Sequence, residues 1–235
     1  MISHSRMHAG RRRSLLGWLA AIALGAGAAR ADAQVRVEIA PFTGSYLPLT
    51  NWGEMSQSFG NSTFRQTIGV LVGGRLRTTF TDLVGGEISA AYVNTGWRQH
   101  FEGNVNNTAA SKIDYALAGN MTLASARLIL TPRRANYYGI VGGGVMHRGG
   151  RAWDPSIWTV PSTQYNTTSP AGILGLGLRA PVSPSLSLDA SAELHLHGGD
   201  LVKSGFAFSD AKYTAGGLQS DLIVTIGVPI SLAGH

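Results

Sequence analysis

Between Leu186 and His197 the chain alternates without a break. Leu186, Leu188, Ala190, Ala192, Leu194 and Leu196 fall on one side, and Ser187, Asp189, Ser191, Glu193, His195 and His197 on the other. Period two over 12 residues defines a β-strand with one apolar and one polar face. Leu222, Val224, Ile226, Val228 and Ile230 repeat it against Asp221, Ile223, Thr225 and Gly227, and Val35, Val37 and Ile39 repeat it against Arg36 and Glu38. Extended by the same pattern, the sequence predicts eight strands, at 35–47, 64–77, 83–97, 113–130, 137–147, 171–180, 185–197 and 218–232. The apolar set of 113–130 changes phase near Ala124–Arg127, which predicts a bulge. None of this reads as helix.

The connections constrain the fold further. Those at 48–63, 98–112, 148–170 and 198–217 are long and polar, and those at 78–82, 131–136 and 181–184 are short, with Thr131-Pro132 and Pro181-Val182-Ser183-Pro184 as turn chemistry. Long and short connections alternate along the chain. In an up-and-down antiparallel sheet this gathers tight turns at one end and four long loops at the other, the signature of a transmembrane β-barrel.

The first 33 residues read as an export signal. Arg11-Arg12-Arg13 precede an apolar stretch of 16 residues (14–29), and small residues follow at A-x-A spacing in Ala29-Arg30-Ala31 and Ala31-Asp32-Ala33. The expected division is a signal peptide at 1–33 and a barrel domain at 34–235, in a Gram-negative-type envelope. This segment also explains the charge. The net +6 invites a nucleic-acid reading, but Arg6, Arg11, Arg12, Arg13 and Arg30 lie in the first 31 positions, and from Asp32 onward fourteen basic residues face thirteen acidic ones. Nucleic acid is therefore not an expected partner. With no cysteine, disulfide scaffolds, Cys-based metal sites and lipoprotein anchors are excluded.

A soluble barrel buries its apolar face, whereas a membrane barrel turns it outward. Rows as long as Leu186–Leu196 suit the 9–11 residues a tilted strand needs to cross hydrocarbon. Arg36, Glu38, Arg75, Arg77, Glu87, Asp189, Glu193 and Asp221 then form a lumen network of mixed sign, with Asp114 and Arg179 on the same inward face. Tyr46, Phe64, Phe80, Tyr92, Trp97, Tyr115, Tyr137 and Tyr138 are candidates for interface girdles.

With Val37-Glu38-Ile39-Ala40-Pro41-Phe42-Thr43-Gly44-Ser45-Tyr46 as an opening strand, Leu222–Leu232 as a closing one and Tyr137-Tyr138-Gly139-Ile140-Val141-Gly142-Gly143-Gly144 between them, the mature chain resembles the small eight-stranded outer-membrane barrels of the OmpA/OmpX kind over essentially its whole length. The resemblance implies the outer membrane as location, with outer-membrane lipid and the barrel-assembly machinery as partners. The ending Ile230-Ser231-Leu232-Ala233-Gly234-His235 departs from the terminal aromatic of such barrels.

One constellation offers chemistry. Glu193, His195 and His197 share one strand face, and the topology predicts a position at the outer mouth. A carboxylate beside two imidazoles suits a general base or a metal ligand set, and equally a polar lumen network. Eight strands enclose a bore that side chains fill, so a solute pore is not expected. The leading expectation is a structural or interaction protein presenting four loops outward, not an enzyme, with no cofactor and no metal. A protein partner outside or in the periplasm fits this reading but is not identified by it. The alternatives are a lipid-modifying enzyme using Glu193, His195 and His197, and a soluble periplasmic lipid-binding barrel.

Overall fold

The computed structural model describes residues 36–51, 53–57, 60–103, 111–133, 135–150, 166–183, 186–198, 212–215 and 217–233. The export signal expected at 1–33 and the tryptophans Trp153 and Trp158 lie outside them.

Twelve strands follow in order: β1 (Arg36–Pro48), β2 (Gly53–Gln57), β3 (Gly60–Gln66), β4 (Gly69–Thr79), β5 (Val84–Gly103), β6 (Ser111–Leu130), β7 (Tyr137–Gly150), β8 (Asn166–Ser183), β9 (Leu186–Gly198), β10 (Lys212–Ala215), β11 (Leu218–Gly227) and β12 (Ile230–Ala233). All pairings are antiparallel, and β5 with β6 closes the ring β1–β4–β5–β6–β7–β8–β9–β11. The result is a closed, eight-stranded, up-and-down barrel, as the alternation predicts. The remaining strands extend its staves: β12 continues β11 past Val228-Pro229 and pairs with β1, while β10, β2 and β3 continue the wall above the ring.

Register fixes the tilt. Paired residues lead round the ring from Glu38 through Arg77, Glu87, Arg127, Gly142, Ile173, His195 and Asp221, and return to β1 at Pro48, ten residues above the start. That stagger corresponds to strands inclined by about 40–45° to the axis.

Alternation decides the faces. Along β9, Asp189, Ser191, Glu193, His195 and His197 are buried in the lumen, and the intervening residues face out. The exterior carries Ile39, Val70, Val72, Ile88, Leu128, Val145, Leu174, Leu176, Leu178, Val224 and Ile226, all substantially exposed. This inversion is stable in hydrocarbon and not in water.

Three expectations need correction. The phase change in 113–130 is not a bulge, because β6 keeps an unbroken register with both β5 and β7. Its outward residues instead change from Lys112, Asp114, Asn120 and Thr122 to Ala124, Ala126, Leu128 and Leu130, which marks where the wall enters hydrocarbon. Asp114 accordingly faces outward and not into the lumen. The loops expected at 48–63 and 98–112 are largely strand, with β2, β3 and the upper parts of β5 and β6 built on residues whose outward positions are polar. The girdle is also thinner than expected: Phe80, Tyr92 and Tyr137 face out, but Tyr46, Phe64 and Tyr138 are buried inside.

Candidate functional site

The lumen holds the charged side chains, and register stacks them in three tiers. At the short-turn end Asp189 of β9 is the hub. It accepts hydrogen bonds from Arg77 at 2.9 Å, Arg75 at 3.3 Å, Arg179 at 3.3 Å and the Tyr138 hydroxyl. Arg77 also meets Glu87 at 2.7 Å, and the other Glu87 oxygen meets Arg127 at 2.6 Å. Arg127 pairs in turn with Glu193. On the other side Arg179 reaches Glu38 at 2.8 Å, and Arg36, at the solvent-exposed rim, reaches it at 3.0 Å. These ion pairs form one connected network from Arg36 to Glu193. Its spine, Glu38, Arg77, Glu87 and Arg127, consists of directly opposed residues on four adjacent strands, alternating in sign. Gly177 makes room for it, since a Cβ there would lie 2.0 Å from the ring of Tyr138.

Above this network Phe42, Tyr46, Leu71, Val93, Met121, Leu123, Met146, Ala171 and Ile223 pack as a buried apolar tier. The space left between Arg75, Arg127, Leu71 and Leu123 is about 20 Å³, room for one water molecule and not for a solute. Nearer the long-loop end Asp221 binds His197 at 2.9 Å and Arg148 at 3.2 Å. Gln66 accepts from Arg148 at 3.2 Å and from Tyr46 at 2.9 Å, closing the third tier.

The chain thus brings together Arg36, Glu38, Arg75, Arg77, Glu87, Asp189 and Glu193, and sets Asp221 in the separate upper cluster. Arg127 and Arg148, central to both, escaped the sequence reading. Arg127 shares the odd-numbered face of Leu123 and Ile129, a signal hidden by the supposed bulge; Arg148 stands where a loop was expected. Glu193, His195 and His197 do share a face, but inside the barrel and not at its mouth, each at most 5% exposed. Ser191 donates to Glu193 at 3.0 Å and His195 contacts it at 3.3 Å, while Arg127 holds the same carboxylate. This geometry gives the cluster a structural job and no route to a lipid substrate. Among the described residues no group of three or more His, Asp or Glu is arranged to hold a metal.

Outside the membrane a second ladder runs along β5 and β6. His100 pairs with Asp114 at 2.8 Å and with Glu102 at 3.4 Å, and Lys112 with Glu102 at 2.7 Å, all exposed. The hydrogen bonds to Asp114 and then Glu102 raise the His100 pKa above its ordinary value. Lys112 first, then His100, lowers that of Glu102.

No family model and no curated protein matches the chain. Solved structures do. OprG from Pseudomonas aeruginosa, an outer membrane protein, aligns with a TM-score of 0.50 at 11% identity over 83% of this chain and 96% of its own. Ail, the attachment invasion locus protein of Yersinia pestis, aligns at 0.36 with 15% identity over 83% of this chain and 99% of its own, and Neisserial surface protein A at 0.38 with 12% identity over 82% and 96%. At such identities the likeness concerns the fold, and OprG carries it. The chain has the fold of the small eight-stranded outer-membrane β-barrels, and its apolar exterior around a charged interior places it in that membrane.

Proposed function

We propose that this outer-membrane barrel is a non-conducting scaffold whose work is done on its outer side, in a structural or interaction role. The observation that supports this is the tiered lumen: a connected ion network, an apolar layer and the Arg148–Asp221–His197 cluster fill the bore in succession. Short turns at one end and extended walls at the other orient the barrel with β2, β3 and the tops of β5 and β6 outside the cell. In this reading residues 1–33 are the cleaved export signal, and the assembly machinery inserts the remainder.

Reconstitution into planar lipid bilayers tests the reading. The folded protein gives no discrete conductance steps above the bare membrane. Reproducible single-channel steps from heat-modifiable, correctly folded protein would overturn it. N-terminal sequencing of protein taken from outer membranes checks the signal, with a mature start expected at Asp32 or Gln34.

A further inference from the structure

Most charges within the barrel wall are paired, but two are not. Arg65 of β3 and Arg98 of β5 are directly opposed in register, and both are exposed on the outer face. Like charges at directly opposed positions destabilise a strand pair, and among the described residues neither arginine has an acidic partner. The nearest acids in register, Glu102 and Asp114, are taken by Lys112 and His100.

Below the arginines the same wall changes character in order. Asn94 and Asn120 form a polar collar where the apolar band ends. Beneath it a groove of about 420 Å³ runs between Val72, Ala90, Tyr92, Thr122, Ala124 and Val145. Its floor is shallow because alanines lie between larger neighbours, and its walls are almost wholly apolar. Arg98 lies four residues above Asn94, about 10 Å along the axis of a tilted strand. The headgroup layer extends roughly 5–8 Å beyond hydrocarbon on each side, and an arginine side chain bends toward it. The unpaired cations therefore stand at the level of lipid phosphates, directly over a slot for an acyl chain.

We propose that this face binds a phosphorylated, multiply acylated lipid of the outer leaflet, with a phosphate monoester held by Arg65 and Arg98 and one chain seated in the groove. Paired guanidinium forks match the oxygens of a phosphate monoester better than a lone cation does. The inference rests on the orientation proposed above.

The test is native mass spectrometry of the full barrel purified from outer membranes in mild detergent. Diphosphorylated lipid A, its dephosphorylated form and phosphatidylglycerol are titrated back as probes, and folding of each variant is confirmed by heat modifiability. The R65A/R98A double variant is expected to bind diphosphorylated lipid A between about tenfold and a hundredfold more weakly. Ala124→Leu, which fills the groove, weakens binding severalfold, and Arg133→Ala at the opposite end leaves it unchanged. Equal binding by wild type and the double variant, or of lipid A with and without phosphate, overturns the proposal. Phosphatidylglycerol binding as tightly as lipid A overturns the choice of occupant. Absence of folded wild-type protein from the outer-membrane fraction overturns the underlying orientation instead.

Discussion

The barrel contains two cross-strand charge ladders built by the same rule. Inside, Glu38, Arg77, Glu87 and Arg127 oppose one another across four strands; outside, His100 opposes Asp114 and Glu102 opposes Lys112 on the upper reach of β5 and β6. Pairing geometry is alike, but the surroundings differ. Side chains of the inner ladder are at most 8% exposed, and those of the outer ladder at least 40%. The difference teaches that register alone does not set the energetic weight of an ion pair. Removing one partner inside strands a buried charge, whereas outside water replaces it.

The sharpest way to break this contrast is at Asp189, which serves three arginines and Tyr138. Asp189→Ala is expected to cost about 3–5 kcal/mol, read as a lowered urea midpoint for loss of the fast-migrating folded band on unboiled gels. An unchanged midpoint would mean that the network is not the buried lattice described. Next in size is Gly177→Ala, where the added methyl meets a ring held by Asp189 and Arg77. Overpacking there is expected to cost about 1–3 kcal/mol in the same assay. Lys112→Ala, on the outer ladder, is expected to leave the midpoint within the scatter of the wild-type measurement.

The smallest effect concerns protons. His100 titrates above its ordinary value because Asp114, then Glu102, binds its protonated ring. A raised folded-state pKa means the contribution is fully present below the ordinary histidine value and is lost as pH rises through the folded one. An NMR titration of the His100 ring should show the upward displacement, and Asp114→Asn should remove most of it. A wild-type ring titrating at the ordinary value would erase the outer ladder as a structural feature.

Strand faces were legible where the outside of the wall is apolar. On β9 and β11 alternation separates oil from charge, and both faces follow from it. Above the membrane the outward residues are polar too, so β2, β3 and the tops of β5 and β6 lose the contrast and resemble loops. The same change of solvent partway along β6 imitates a bulge and conceals Arg127. Glu193, His195 and His197 were legible as a shared face, but their depth was not. Depth depends on the ten-residue stagger of the ring, which links strands far apart in sequence.

The central claim is the inversion of the barrel, and a chain without cysteine makes it directly measurable. Single cysteines placed at successive positions from 188 to 196 on β9 can each carry a nitroxide in reconstituted bilayers. Accessibility to oxygen, which partitions into lipid, should peak at 188, 190, 192, 194 and 196 and fall at the positions between. The opposite phase, with lipid contact at 189, 191, 193 and 195, or no period of two at all, would contradict the account.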